Sequence, residues 1–350
     1  MSNSVRFGIL SFAHYHANFW ADAINQSTDA TLAGIWDDDP LRGQDAANRF
    51  GAPFHSDLAT LLRQCDAVGI TSATAHHATL VEAAAAAGVH ILLEKPMATS
   101  LAGCDRIERA VRAAGVLFMQ NFPKRFDPVN DELVTLVHQG QLGEIGLVRV
   151  RHGHFHGLDP SFASQWFVDP ALSGGGTLID EGIHAADFLR WLLGEPVDVR
   201  AAISHRLLQL PVEDTAAATF TFAGGTIAEV ATSWSFVAAE HSIEVYGSAG
   251  SALLGGVDLA SRDFATPPYV RLFRHGGVRG VWDGSPTIPR FITGDVHQQG
   301  PRHFIDCVCT GRQPAVGLED GRRSLAMILA AYRAARTGAS QSLPNDRSFT

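Results

Sequence analysis

Short apolar runs alternate with stretches of helical periodicity through the first 120 residues, the signature of βαβ units that build a parallel sheet. The pattern predicts strands over 5–11, 31–36, 65–71, 89–93 and 116–120, and helices over 14–25, 41–50, 75–87 and 101–114. Gly88 closes the third helix, while Ser100 caps the fourth and Gly115 stops it. The expected architecture is a doubly wound parallel sheet, which binds ligands at the carboxyl ends of its strands.

The rhythm changes near Pro123. A helix is expected over 128–138, and residues 146–156 alternate like a strand, as do 215–222, 226–234 and 242–246 between glycine pairs. Helices become few: one over 178–193 and another over 321–336, ahead of a polar tail, 340–350, expected to be loosely held. The second half is therefore α+β, and the expected division is 1–123 and 124–350.

Composition narrows the partners. At 350 residues the chain exceeds the size at which one core keeps growing, and 46% hydrophobic with 18% charged residues lies in the globular range. A formal charge of -9 supplies no basic field for phosphate backbones, which excludes nucleic acid and leaves small molecules. Cys65, Cys104, Cys307 and Cys309 form no C-x-x-C pair, which points to a reducing cytoplasm. The leader MSNS is not a signal peptide, and the most apolar stretch, 80–93, carries Glu82, Gly88 and His90 and is too short to span a membrane.

Two segments carry candidate chemistry. At the end of the fourth strand, Glu94 and Lys95 precede Pro96, which biases Lys95 away from helical geometry and permits a cis bond. Downstream, Gly174, Gly175 and Gly176 open a helix on which Asp180 and His184, four apart, share one face. Such a pair can share a substrate hydroxyl, and histidine suits proton transfer near neutral pH. The glycines suggest backbone approaching a ligand. The bland alternatives are a solvated Glu-Lys pair and a surface ion pair.

These motifs, in this order, resemble the glucose-fructose oxidoreductase and inositol dehydrogenase (Gfo/Idh/MocA) family over nearly the whole chain. The resemblance runs from 94–96 through Arg125-Phe126-Asp127-Pro128 and 140–145 to Trp166, Gly174–Gly176, Asp180, His184, Asp187, Trp191, Gly194 and the helix carrying Tyr332. It implies a Rossmann-like dinucleotide-binding domain over 1–123. It also implies an open, mostly antiparallel sheet in a substrate-binding and oligomerisation domain over 124–350, with substrate in the cleft between them. By that analogy Lys95 hydrogen-bonds the substrate oxygen, Asp180 holds a hydroxyl, and His184 accepts the proton as hydride leaves for the nicotinamide. Thr71, Ser72, His77, Glu94, Lys95 and Gln120 would line the dinucleotide, Arg125 would join the substrate site, and the chain would be a homodimer or homotetramer.

Asp37 ends the second strand, where a carboxylate binds the adenosine ribose and repels a 2'-phosphate, so NAD is expected over NADP, with Arg42 nearby as the opposing charge. The first turn departs from the family. Ser11-Phe12-Ala13-His14-Tyr15-His16 stands where G-x-G-x-x-G belongs, and a methyl at Ala13 crowds the pyrophosphate. His14 or His16 can instead donate to phosphate beside the helix amides.

His152, His154 and His156 alternate along the expected strand 146–156. H-x-H is a usable zinc spacing, but no Cys or H-E-x-x-H helix accompanies it, so no metal is expected and His154 and His156 are assigned to a polyol pocket. Trp166 would stack on a sugar face or simply pack. The expected activity is an NAD-dependent dehydrogenase or reductase of a sugar, inositol or related polyol. Alternatives are a non-catalytic sugar or nucleotide sensor on the same scaffold and a metal-assisted lyase or hydrolase using the histidine strand.

Overall fold

The computed structural model describes residues 4–237, 241–255, 270–274, 281–283 and 295–343. The chain forms two compact units: residues 1–123, 171–174 and 294–323 make the first, and residues 124–170, 175–293 and 324–350 the second.

In the first unit, β1 (Val5–Leu10), α1 (His16–Asn25), β2 (Ala30–Trp36), α2 (Pro40–Phe50), α3 (Leu58–Leu62), β3 (Ala67–Ile70), α4 (His77–Ala86), β4 (His90–Leu93), α5 (Leu101–Ala114) and β5 (Phe118–Gln120) follow one another. The five strands are parallel in the order β2-β1-β3-β4-β5. Phe7, Ile9 and Leu10 are fully buried, as a strand covered on both faces requires. Asp39 caps α2 by accepting from the Leu41 and Arg42 amides, and Gly51 ends it with φ 68°. The strand order reverses between β1 and β3, whose carboxyl ends lead into 11–15 and 71–73; doubly wound sheets in general bind ligands at such a switch point.

The second unit begins with α6 (Pro128–His138) and β6 (Ile145–Gly153). Then come α7 (Pro170–Ser173), which crosses into the first unit, α8 (Thr177–Asp180) and α9 (Gly182–Leu193). Strands β7 (Pro196–Ser204), β8 (Thr215–Phe222), β9 (Ile227–Ser233), β10 (His241–Gly247), β11 (Gly250–Gly255), β12 (Val270–Arg274) and β13 (Val281–Asp283) precede α10 (Asp295–Thr310), which belongs to the first unit. The chain closes with α11 (Leu318–Thr337) and β14 (Gln341–Ser342). Nine strands form one sheet in the order β13-β12-β11-β10-β6-β9-β8-β7-β14, antiparallel except where β6 lies parallel to β9. Helix α9 packs on β6 and β9, burying Ile183, Phe188 and Leu189.

Several expected elements change. The helix over 178–193 is interrupted at Glu181 into α8 and α9, so Asp180 and His184 do not share a continuous helical face. Glycine at 182, a poor helix former, sits at the break against Leu178 and Ile328. Strand β6 stops at Gly153, where any side chain would collide with the Ser233 backbone, so His156 opens a 3-10 turn instead of continuing a strand. Helix α10 carries Pro301 and, over 297–303, no large apolar side chain, which hid it from the periodicity. The Gly, Pro and Arg content of 255–293 suggests a loop reaching the active site of its own or a neighbouring subunit; Gly255 instead ends β11, β12 and β13 follow, and the rest lies outside the described residues. In the polar tail, Gln341 and Ser342 pair with β7, and 344–350 lie outside the described residues. No helix among the described residues is long and apolar enough to cross a membrane.

Candidate functional site

In the first unit the turn after β1 is held to its neighbours by backbone. Ser11 N donates to Trp36 O, His14 N donates to Thr71 O at 2.9 Å, and Thr71 Oγ1 donates to Ser11 O at 2.5 Å. Ser11 adopts φ 74°, the left-handed conformation that glycine supplies in the usual fingerprint. At Ser11 the turn thus takes a left-handed backbone without a glycine. Ser11 Oγ compensates by donating to Asp38 Oδ1 at 2.9 Å and accepting from the Ala13 amide at 3.2 Å. Phe12 N donates to Asp37 Oδ2 at 2.7 Å, tying the turn to the end of β2.

Asp37 is buried and held by both sides of the Arg42 guanidinium, Nε to Oδ2 at 3.0 Å and Nη2 to Oδ1 at 2.6 Å. Arg42 Nη2 also reaches Asp38 Oδ1 at 2.9 Å. Burial pushes the Asp37 carboxyl above the ordinary carboxylate range against the pull of Arg42. The carboxylate assigned to the ribose is thus already engaged, a point the spacing argument missed because it treated Arg42 only as a rival charge.

At the ends of β3 and β4, His77 reaches Pro96 O through Nδ1 (2.9 Å) and Ser72 O through Nε2 (3.2 Å), so its ring joins two loops. Burial lowers the His77 pKa. Gln120 donates to Leu93 O at 3.1 Å. Lys95 is 3% exposed and its peptide to Pro96 is cis. Glu94 Oε1 lies 3.2 Å from His16 Nδ1, and its Oε2 accepts from Asn121 Nδ2 at 3.0 Å. The His14 and His16 ring centroids are 4.2 Å apart, and His297 of α10 lies 4.1 Å from His16. Burial, followed by the His16 imidazole, holds His14 well below the ordinary histidine value.

In the second unit the structure gathers His152, His154, Asp180, Glu181 and His184. Glu181 Oε2 lies 2.9 Å from His152 Nε2 and Oε1 lies 3.3 Å from His154 Nε2. His156 N donates to His154 Nδ1 at 3.2 Å, which leaves His154 Nε2 as the protonated nitrogen facing Glu181. His152 meets His184 edge to face with centroids 4.9 Å apart. Burial pushes Glu181 up, but the two imidazoles outweigh it and hold the carboxyl well below its usual range. Asp180 Oδ2 accepts from Trp234 Nε1 at 2.9 Å, and Trp234 packs with Phe162, Phe167, Val168 and Val212 as an aromatic wall against which Trp166 lies. Glu181 was missed: in sequence it is one acidic residue beside Asp180, and only the fold brings it to two distant histidines.

Other expected roles change. The three glycines serve packing: Gly174 approaches Thr99, Gly175 makes room for the Tyr332 hydroxyl, and Gly176 for the Glu213 backbone. Glu213 accepts from the Gly176 and Leu178 amides at 3.0 and 2.9 Å, capping the single turn α8. Tyr332 Oη donates to Glu213 Oε1 at 2.7 Å. Arg125 is paired through two bonds of 2.8 Å with buried Asp187 and lies over the Trp191 ring. His156 is exposed on its turn, with its ring 4.9 Å from that of His154.

Residues 5–122 match the model of an oxidoreductase family with an NAD-binding Rossmann fold, and residues 131–253 match the GFO/IDH/MocA C-terminal domain. The uncharacterised oxidoreductase YrbE of Bacillus subtilis is 32% identical over 60% of this chain and 63% of its own length. Myo-inositol 2-dehydrogenase of Thermotoga maritima is 27% identical over 94% of this chain and 96% of its own. Among solved structures, aldose-aldose oxidoreductase from Caulobacter crescentus, complexed with glycerol, superposes with a TM-score of 0.81 at 26% identity, covering 97% of this chain and all of that one (100%).

Proposed function

Because the chain belongs to the GFO/IDH/MocA family of oxidoreductases with an NAD-binding Rossmann fold, we propose that it moves a hydride between NAD and a secondary alcohol, or the matching ketone, of a sugar, inositol or related polyol. The observation that carries the reading is the cluster His152, His154, Asp180, Glu181 and His184 beside the Trp234 wall. It offers proton-handling imidazoles and a carboxylate next to an apolar face, the mixture a sugar ring requires. The names of the inositol dehydrogenase and aldose oxidoreductase relatives support the substrate class.

In the oxidative direction His184 takes the hydroxyl proton, Asp180 holds a neighbouring hydroxyl, and Lys95 donates to the substrate oxygen, favouring the alkoxide as it forms. Glu181 acts one step back, fixing His152 against the face of His184. A nicotinamide bound to the first unit would supply the hydride acceptor in this direction and the donor in the reverse. Residues 11–16 and 71–72 would hold the phosphates, since Ser11 takes the left-handed backbone such a loop needs. The preference is for NAD: a 2'-phosphate at the end of β2 would meet Asp37, Asp38 and Asp39 with Arg42 already occupied. The reading includes a homodimer or homotetramer built on the open sheet of the second unit. It also includes a cytoplasmic setting, supported by four cysteines outside any disulfide, of which burial pushes Cys65 and Cys104 up to about 12.

Calorimetric titration of the stripped protein with NAD and with NADP, followed by a screen of polyols for nucleotide reduction, tests the reading. Tight NAD binding with weak NADP binding and turnover of a polyol is the expected result. Folded protein that binds neither nucleotide overturns it in favour of a sugar-binding sensor.

A further inference from the structure

We infer that His14, His16 and Glu94 form a binding site for one divalent transition-metal ion of the zinc class, a role that hydride transfer does not require. One ligand atom from each residue lies within 4.8 Å of the other two, and all three side chains are buried. The His16 Nδ1 to Glu94 Oε1 separation of 3.2 Å matches the edge, about 3.3 Å, of a tetrahedron whose nitrogen and oxygen corners lie at zinc bonding distance. His297, with its ring 4.1 Å from that of His16, stands where a fourth ligand would come from.

The positions are set by the ends of strands and by fixed backbone. His14 N is held to Thr71 O, and Glu94 N to Ile70 O. Glu94 Oε2 is held by Asn121 Nδ2, which turns Oε1 toward His16. Preorganisation of this kind distinguishes a ligand set from side chains that happen to meet. Imidazoles with one carboxylate select a zinc-class ion over magnesium or calcium, which take oxygen donors almost exclusively. An ion at this place replaces the direct His16 to Glu94 contact. The loss of the third glycine of the fingerprint then has a chemical reason: His16 in its place is a ligand, joined by His14 from a position the fingerprint leaves open.

The test uses the untagged full-length chain, stripped with a chelator, free of nucleotide, and checked for folding by circular dichroism. Zinc retained after desalting is counted by elemental analysis, and cobalt(II) is titrated while its visible ligand-field bands are recorded. One zinc per chain, with four-coordinate cobalt bands, is expected in the wild type and in Glu181→Gln, and neither in His16→Ala or Glu94→Gln. Folded wild type that retains no zinc overturns the site, as does zinc retained in both His16→Ala and Glu94→Gln, or zinc lost in Glu181→Gln. Should His16→Ala fail to fold, His14→Gln takes its place, with loss supporting the site and retention opposing it. Because no nucleotide is present, failure of NAD binding leaves this result untouched.

Discussion

Glu181 Oε2 sits 2.9 Å from His152 Nε2, and this contact sets the ring that meets His184 edge to face. A glutamine at 181 offers one acceptor and one donor group where the carboxylate offers two acceptors, so it cannot hold both imidazole N–H groups. Glu181→Gln should lower kcat roughly 10- to 100-fold through misplacement, with KM nearly unchanged. Its acid stability should change as well. The folded carboxyl is held below the ordinary value of 4.5, so its stabilisation is present above that value and lost as pH falls through the lower folded one. Acid denaturation of the variant should lack that segment of the wild-type slope; identical profiles would count against the ionised pair.

Lys95→Ala and His184→Ala should each cut turnover of a polyol by about 10²- to 10⁴-fold, the range for positioned proton donors and acceptors. Circular dichroism should be unchanged. Wild-type rates in either variant would remove that residue from the mechanism.

Ser11 at φ 74° predicts an ordering between two small replacements. Alanine loses the Oγ bonds to Asp38 and the Ala13 amide and keeps the unfavourable backbone; glycine loses the same bonds and relieves it. Ser11→Gly should therefore be more stable than Ser11→Ala by about 1–2 kcal/mol in urea denaturation. Equal midpoints would show that the turn carries no such strain.

The grip of Arg42 on Asp37 predicts a change in cofactor choice. Asp37→Ala removes the buried carboxylate and opens the Nε edge of the guanidinium, whose Nη2 keeps Asp38, to a phosphate. NADP affinity should rise about tenfold or more, on the order of 1.4 kcal/mol, while NAD affinity falls. Calorimetry with both nucleotides reads this directly, and an unchanged ratio would mean that the end of β2 does not face the ribose.

Legibility followed range along the chain. The five parallel strands and the helices α1, α2, α4 and α5 are legible because each is specified by its own run of side chains, as Val5–Leu10 and Leu101–Ala114 show, whereas the five-residue α3 is too short to carry a periodicity. Asp180 and His184 were readable as a motif, yet the continuous helix assigned to them was not correct, because Glu213 caps a single turn from 33 positions beyond Asp180. The partners of Glu181 come from β6 and the turn after it, and those of Glu94 from the first residue of α1 and the residue after β5. No periodicity records such long-range meetings. The glycines at 174–176 were over-read for the same reason: their neighbours Tyr332 and Glu213 are distant in sequence, so packing looked like ligand approach.

The Glu213 and Tyr332 pair gives the sharpest test of how the segment bearing Asp180 is held. Tyr332 Oη donates to Glu213 Oε1 and accepts from the Ile179 amide at 3.2 Å, while Glu213 itself accepts the amides of Gly176 and Leu178. Tyr332→Phe leaves the Ile179 amide without that acceptor and should cost about 1–3 kcal/mol. Glu213→Gln weakens the cap by exchanging a charged acceptor for a neutral one and should cost a similar amount. Because the two groups share a bond, the double variant should cost less than the sum of the singles by about 0.5 kcal/mol or more. Strict additivity in the cycle would mean that the two side chains hold α8 independently of each other, with Asp180 tied separately to Trp234.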